Sequence, residues 1–158
     1  MTPELPPNPA TFIVTGPTSG IGLCAALELS QHGTVVLVGR NVAKLESVRS
    51  RIGGQGGRAL AVVCDLSDQA SVRRAAAEIT ALDLPITGLL NNAGIMPMQA
   101  GKTAAGWDMT FATNYLGPFA LTEALVPHLP DGARIVFVEP MQPCFDTSPR
   151  TGEPTIAY

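Results

Sequence analysis

Charged side chains are scarce in this chain. Ten Lys and Arg residues and thirteen Asp and Glu residues make up 15% of its 158 residues, and the formal net charge is −3. A typical soluble domain has about 25% charged residues. The sequence has no cluster of basic residues, which argues against nucleic acid as the main partner. It also has no apolar run long enough to span a membrane, so we expect no membrane span.

The N-terminal segment lacks the apolar core of a secretory signal peptide. Residues 1–10 contain four prolines and no apolar run. We therefore expect a short flexible arm over residues 1–10.

Cysteine is rare and odd in number. The three cysteines, Cys24, Cys64 and Cys144, are too widely spaced for a disulfide framework or a metal site, and no metal site is predicted. Cys24 and Cys64 fall inside apolar runs, which predicts that both are small core residues. This cysteine usage predicts a reducing compartment, the cytoplasm.

Short apolar runs alternate with longer amphipathic stretches along a chain of about one domain's length. The runs are continuous rather than alternating, as in strands that are covered on both faces. The pattern predicts an α/β fold, a doubly wound parallel sheet of the Rossmann-like type with about five strands in the order 3-2-1-4-5. The predicted strands are 11–14, 34–38, 60–64, 86–90 and 134–138, and the predicted helices are 19–32, 41–52, 68–82 and 103–129.

These elements predict a dinucleotide-binding domain over residues 11–139. Residues 140–158 contain four prolines and show no periodicity. We expect a loop or a disordered tail there.

The most informative segment is the glycine-rich turn Thr15-Gly-Pro-Thr-Ser-Gly-Ile-Gly22, which follows the first apolar run. Glycines let the backbone turn tightly, and a helix that begins there directs free N–H groups and its positive dipole end at an anion. The spacing differs from the commoner Gly-x-Gly-x-x-Gly, and glycines that only form a turn are the alternative. The predicted cofactor-binding residues of this segment are Gly16, Thr18, Ser19, Gly20, Ile21 and Gly22.

The second strand ends at Gly39-Arg40-Asn41, where a dinucleotide-binding fold meets the adenosine ribose. An acidic residue there would accept from the 2′-hydroxyl of NAD, but Arg40 suits a 2′-phosphate instead. An exposed arginine that merely opens the next helix is the alternative. We expect Arg40 and Asn41 to contact the cofactor, with NADP favoured over NAD.

Polar residues also follow the third and fourth strands. Asp65 precedes Leu66 and is predicted to accept the adenine amino group, or to cap the next helix. After the fourth strand comes Asn91-Asn92-Ala93-Gly94. Its amides are predicted to bond backbone groups across the crevice and to let Ala93 and Gly94 lie close to the ribose, and a plain Asx turn is the alternative.

The fourth predicted helix contains Asn114-Tyr-Leu-Gly-Pro-Phe119. Pro118 lacks the N–H that would bond the carbonyl of Asn114, which predicts a local bulge or kink. A free Asn114 carbonyl could hold a catalytic water. The alternative is a kink that serves only to pack Phe111, Tyr115 and Phe119.

Together, the glycine turn, Asp65-Leu66, Asn91–Gly94 and the 114–119 segment resemble the short-chain dehydrogenase/reductase family. The 39–41 and 114–119 segments look most like its retinol dehydrogenase-like, NADP-preferring members. The resemblance implies hydride transfer between a nicotinamide dinucleotide and a small alcohol or carbonyl substrate. It also implies a catalytic role for Asn114 and for Tyr158, which matches the start of the family's Tyr-x-x-x-Lys segment.

The chain departs from the family pattern after the fifth strand. Glu139-Pro140 stand where the family has its serine, and the sequence ends at Tyr158, before the family's lysine. The resemblance therefore implies an incomplete sheet and a truncated cofactor-binding portion, inactive alone. A non-catalytic NADP(H)-binding or partner-binding module is the alternative. We also expect self-association through an uncovered fifth strand and the apolar face of helix 103–129, at Leu116, Phe119, Leu125 and Val126.

Overall fold

A computed structural model describes residues 10–138, and residues 1–9 and 139–158 lie outside the described part. Most of the predicted arm and all of the predicted tail, including Cys144 and Tyr158, therefore fall outside it. The elements, in chain order, are β1 (Ala10–Thr15), α1 (Gly20–Leu29), β2 (Gly33–Gly39), α2 (Val42–Gly54), β3 (Arg58–Val63), α3 (Gln69–Ala81), β4 (Ile86–Asn91), α4 (Met109–Phe111), a π-helical turn (Ala112–Leu116), α5 (Gly117–Leu125), a 3-10 turn (Val126–His128) and β5 (Arg134–Phe137).

The strands form one parallel sheet in the order β3-β2-β1-β4-β5, which confirms the predicted fold class. Successive side chains of a strand point to opposite faces, and this divides the core into two layers. Ile13 packs on the face covered by α3 and α5, together with Ile79 and Leu121. Val14 packs on the other face, which α1 and α2 cover.

The strands start and end within two residues of their predicted positions. Ala10, predicted as the end of the arm, begins β1. Within residues 10–138, β5 lies at the edge of the sheet, and all four of its residues are exposed. In the described part of the chain, no helix combines the length and apolar character needed to cross a bilayer.

The prediction of one helix over 103–129 was wrong. The helical segment begins at Met109, because the Asp108 side chain accepts the N–H of Phe111 and caps the first turn. Residues before it form a turn closed by the bridge between Lys102 and Asp108, with Gly106 in the left-handed region at φ +86°. A helix cannot pass through such a residue.

Two predictions about buried apolar positions were also wrong. Cys24 is exposed and only Cys64 is buried, because α1 has apolar residues on most of its sides and turns Cys24 away from the sheet. Leu125 was expected on an uncovered face, but it is fully buried in the core with α3. Phe119 and Val126 are exposed, as expected.

The predicted bulge before Pro118 is confirmed. The chain forms a π-helical turn over Ala112–Leu116, and α5 begins immediately after it with Pro118 in its first turn. Pro118 removes no hydrogen bond from α5, because the N–H groups of a helix's first turn have no partner within that helix. It has no N–H, however, with which to bond a carbonyl of the preceding turn. Phe111, Tyr115 and Phe119 are exposed, so core packing of these rings does not explain the bulge.

Candidate cofactor-binding site

A crevice of about 1030 Å³ opens at the carboxyl ends of β1 to β4. In open α/β sheets this edge is where ligands bind, at the point where the strand order reverses. Here the order reverses between β1 and β4. The crevice is lined by Gly16, Thr18, Ser19, Ile21, Val38, Gly39, Arg40, Asn41, Lys44, Cys64, Leu66, Asn92, Ala93, Gly94, Ile95, Met96, Thr113 and Val138.

The glycine turn leads from β1 into α1 on one side of the crevice. Gly16 and Gly20 adopt left-handed backbone conformations, with φ +65° and +53°. The Ser19 side chain makes no capping hydrogen bond, and the first helical N–H bonded to a preceding carbonyl is that of Leu23, to Ser19. The N–H groups of residues 20–22 therefore have no carbonyl partner within α1, and such free N–H groups at a helix start are what an anion site needs.

Close backbone packing explains two of the predicted glycines. A Cβ on Gly16 would lie 2.9 Å from the Cα of Ala93. A Cβ on Gly22 would overlap the Gly16 carbonyl and the Asn92 amide. Gly20 has open space around its Cα, so only its backbone conformation calls for glycine. Gly20 and Gly22 thus shape the crevice without lining it.

Hydrogen bonds join the end of β1 to the segment after β4. The buried Thr15 hydroxyl accepts the N–H groups of Asn92 and Ala93, both at 3.0 Å. The Asn92 side-chain amide donates to the carbonyls of Thr15 and Gly16, at 3.1 and 3.2 Å. The predicted bonding across the crevice is therefore present. The neighbouring Asn91 instead turns away, donating to the Thr122 hydroxyl at 3.0 Å.

Two cations line the crevice, one directly after β2 and one in the first turn of α2. Arg40 and Lys44 are its only charged lining residues in the part of the chain that the structure describes. Asn41 lies between them, and its side chain caps α2 by accepting the N–H of Lys44 at 3.0 Å. The crevice is therefore positively charged, although the chain as a whole carries a net charge of −3.

The segment after β3 forms another wall of the crevice. Cys64 and Leu66 line it, while Asp65 is half-buried beside it. The Asp65 Oδ1 atom accepts from the N–H and the hydroxyl of Ser67, at 2.9 and 2.7 Å. Asp65 thus shapes the turn, and the cap of α3 is Asp68, which accepts the N–H of residue 70.

Burial dominates the chemistry of the Cys64 thiol. It raises the pKa of Cys64 from 9.0 to about 11, and the neighbouring Asp65 carboxylate adds to the shift. The thiol therefore stays protonated at neutral pH and contributes an uncharged surface to the crevice.

Asn114 holds the segment that follows Gly94. Its Oδ1 atom accepts the N–H of Ile95 at 2.8 Å, and its Nδ2 atom donates to the Ile95 carbonyl at 3.0 Å. Both ends of the side chain are engaged by one residue's backbone, so the amide acts as a clamp between the π-helical turn and the crevice wall. The neighbouring Thr113 lines the crevice directly.

The structure brings most predicted residues together and adds several that the sequence analysis did not identify. Gly117 lets α5 approach the Leu66 carbonyl closely, since a Cβ there would overlap it. The sequence could have indicated Lys44 as a lining residue, because it lies one helical turn past Asn41. The lining residues not predicted from the sequence are Val38, Gly39, Lys44, Cys64, Ile95, Met96, Thr113 and Val138. Tyr158 lies outside the described residues. No group of three or more potential metal ligands occurs among residues 10–138.

These features fit a dinucleotide. The helix start offers unpaired N–H groups to a pyrophosphate, the glycines remove the Cβ atoms that would fill the turn, and the crevice is large enough for an extended nucleotide. The fold and the crevice define a Rossmann-like nucleotide-binding domain. The chain belongs to the short chain dehydrogenase family, whose family model matches residues 10–144.

Named relatives fit this assignment. The chain is 39% identical to mouse (Mus musculus) polyprenol dehydrogenase over 133 residues, which cover 80% of this chain and 39% of that protein. It is 40% identical to human (Homo sapiens) retinol dehydrogenase 11 over 131 residues, covering 80% of this chain and 41% of the relative. The chain thus spans about two fifths of the length of these relatives.

A solved structure shares the fold. A metagenomic short-chain oxidoreductase in complex with NADP is 33% identical, with a TM-score of 0.68. The match covers 76% of this chain and 56% of that one.

Proposed function

We propose that this chain is the cofactor-binding portion of an NADP-dependent oxidoreductase that transfers hydride between the nicotinamide and a small alcohol or carbonyl substrate. The observation that carries the proposal is the pairing, in one crevice, of an uncapped glycine-rich helix start with two cations. The family membership and the NADP complex of a solved relative support it.

The preference for NADP over NAD rests on charge. NAD-binding folds of this type place a carboxylate after the second strand to accept from the ribose 2′-hydroxyl. Arg40 stands there in this chain, and no carboxylate lines the crevice among residues 10–138. A guanidinium forms charge-assisted hydrogen bonds with a phosphate dianion, but only ordinary hydrogen bonds with a neutral ribose hydroxyl.

Each part of the nucleotide has a matching wall. The N–H groups of residues 20–22 would receive the pyrophosphate, with Thr18 and Ser19 beside them. Leu66 offers an apolar surface for the adenine ring, and Asp65 lies next to it. Ala93 and Gly94 present little side chain, which suits close contact with a ribose.

When bound, the nicotinamide supplies or accepts the hydride. Asn114 serves as a positioning residue in this scheme, because its side chain fixes the backbone of Ile95 at the crevice wall. The availability of its carbonyl for a water is part of the proposal. Tyr158 is the proposed general acid/base, on the strength of the family pattern alone.

A second candidate is a non-catalytic NADP(H)-binding module. It is favoured by Glu139-Pro140, which stand where the family pattern has a serine. Proline has no hydroxyl with which to polarise a substrate oxygen. NADPH oxidation with a panel of aldehydes and ketones distinguishes the two candidates, since the module would bind NADPH and consume none.

Self-association is proposed through β5 and the exposed face of α5. Ile135, Val136, Phe137 and Phe119 are all exposed, and an open strand edge is a template for pairing. Sedimentation velocity tests this: a concentration-independent monomer would contradict it. A reducing, cytoplasmic compartment is also part of the proposal, and it rests on the cysteine usage of the sequence alone.

The binding test uses a matched pair of substitutions in the 158-residue chain. Ser19→Trp places an indole at the crevice, where the native side chain makes no capping bond. Ser50→Trp places the same group on an exposed position of α2 that does not line the crevice. NADPH binding, followed by nucleotide fluorescence, should survive the second change and be lost with the first. Equal affinity in both variants would refute the crevice as the site.

A further inference from the structure

We propose that Met96 is an oxidation site, and that its conversion to the sulfoxide by a peroxide weakens nucleotide binding in the crevice. The inference rests on the proposed function and adds a modification that regulates the same site. The side chain of Met96 lines the crevice and is open to solvent, and the backbone beside it is held in place.

Met96 combines two properties that the other described methionines do not share. It lines the crevice, and it is 66% exposed. Met98 is more exposed still but does not line the crevice, and Met109 is half-buried at the start of α4 and does not line it either. A peroxide oxidises a thioether whose sulfur it can reach. Among residues 10–138, Met96 is therefore the methionine whose oxidation would alter the crevice wall.

The backbone next to Met96 is fixed by the clamp from Asn114. The Asn114 side chain bonds both the N–H and the carbonyl of Ile95, at 2.8 and 3.0 Å. The Thr15 hydroxyl holds the earlier part of the same wall by accepting the N–H of Ala93 at 3.0 Å. Because these bonds would break if the wall moved, the backbone cannot readily carry an altered Met96 side chain out of the crevice.

Oxidation changes what this wall presents to a bound nucleotide. The peroxide transfers one oxygen atom to the thioether sulfur of Met96, its O–O bond breaks, and it is reduced to water while the sulfur is oxidised by two electrons. The product carries a polar S–O group where an apolar thioether stood. A bound nucleotide would cover this group, and taking a polar group out of water without a hydrogen-bond donor costs free energy.

The thiols can be separated from Met96 by their chemistry. Cys64 lines the crevice, but burial raises its pKa, and the protonated thiol is a poor nucleophile toward a peroxide. Cys24 is exposed and does not line the crevice. Dithiothreitol reduces sulfenic acids and disulfides, whereas methionine sulfoxide is reduced by methionine sulfoxide reductases. A loss of binding that persists in dithiothreitol and is reversed by these reductases therefore belongs to methionine.

The test treats the full 158-residue chain with hydrogen peroxide, removes the peroxide with catalase and reduces the thiols with dithiothreitol. Nucleotide fluorescence then gives the dissociation constant for NADPH, and each variant is compared with itself before and after treatment. Met96→Leu removes the oxidisable sulfur, and Met98→Leu is the matched control two residues away, outside the crevice lining. Peptide mass spectrometry locates the sulfoxides, and far-UV circular dichroism checks that each sample is folded.

Oxidation should lower the NADPH affinity of the wild type and of Met98→Leu by about tenfold, the scale of covering one unpaired polar group. The affinity of Met96→Leu should be the same before and after treatment. Without any oxidant, Met96→Gln should bind NADPH more weakly than Met98→Gln, because it places a polar amide at the same point of the wall. Bound NADP, which peroxide does not consume, should slow sulfoxide formation at Met96 and leave that at Met98 unchanged.

The possible outcomes distinguish this inference from the proposed function. A wild type that carries the sulfoxide at Met96 and binds NADPH as before overturns the inference and leaves the proposed function standing. Equal losses in the wild type and Met96→Leu would assign the effect to another residue and also overturn it, as would an unmodified Met96 at peroxide concentrations that oxidise Met98. A folded, untreated wild type that binds neither NADPH nor NADH refutes the proposed function, and the inference with it.

Discussion

The hydroxyl of Thr15 is predicted to stabilise the fold far more than the hydroxyl of Thr11 on the same strand. Both residues are buried, at 0% and 1% exposure. The Thr15 hydroxyl accepts two backbone N–H groups and donates to the Leu90 carbonyl at 3.4 Å. The Thr11 Oγ1 atom has no hydrogen-bond partner among the described residues. The pair therefore offers the same substitution with and without lost hydrogen bonds.

Thr15→Val keeps the shape of the side chain but leaves the N–H groups of Asn92 and Ala93 without an acceptor. A buried donor left unsatisfied costs about 1–3 kcal/mol. Both groups belong to half-buried residues, so we expect a total loss of about 2–4 kcal/mol in the free energy of unfolding. Thr11→Val removes an unpartnered buried hydroxyl, and we expect it to be neutral or to stabilise by about 1 kcal/mol.

Urea denaturation followed by circular dichroism measures both changes. NADPH affinity should also fall in Thr15→Val, since the hydroxyl holds the Asn92–Gly94 wall against the glycine turn. Equal destabilisation by the two valine variants would show that the hydrogen bonds of the Thr15 hydroxyl do not stabilise the fold. So would a stable Thr15→Val variant.

Three further predictions test the walls of the crevice. Asn114→Asp keeps the acceptor for the Ile95 N–H but places a carboxylate next to the Ile95 carbonyl, so hydrogen exchange of the amides around residue 95 should become faster. Asn114→Leu removes both hydrogen bonds and should make this exchange faster still. Gly22→Ala should abolish NADPH binding and strongly destabilise the fold, because the added methyl group overlaps backbone atoms. Gly20→Ala should lower the free energy of unfolding by only about 1–2 kcal/mol, because it strains a left-handed backbone in open space. Thermal melts compare the stabilities of the two variants. Because the pKa of Cys64 is raised from 9.0 to about 11, the folded state keeps a proton that the unfolded state releases, so stability should fall between pH 9 and 11, and fall less in Cys64→Ala; parallel pH slopes would contradict this.

The sheet and the crevice could be predicted because their signals are local. Buried parallel strands appear as continuous β-branched runs, and the polar or glycine residues that follow each run mark one edge of the sheet. The glycine turn, Arg40 and Asn92 were found in this way. The π-helical turn was predictable for the same reason, since Pro118 removes a specific N–H.

What could not be predicted depends on tertiary placement. Before Met109, Ala104 and Ala105 favour a helix by propensity, and it is the left-handed backbone of Gly106 and the cap from Asp108 that show where the helix begins. α1 is apolar on most of its sides, so periodicity did not reveal that Cys24 faces outward. Lys44 resembles any exposed helical lysine until the start of α2 is placed beside the glycine turn.

Hydrogen–deuterium exchange of the 158-residue chain, measured with and without NADPH, locates the bound nucleotide on the fold and so tests whether this crevice is the cofactor site. We predict slower exchange in residues 16–22, 39–44 and 91–96, which are three of the segments that border the crevice, and little change in α3, none of whose residues lines it. Protection confined to other segments, or none at saturating NADPH, would contradict the assignment of this crevice as the NADP(H) site.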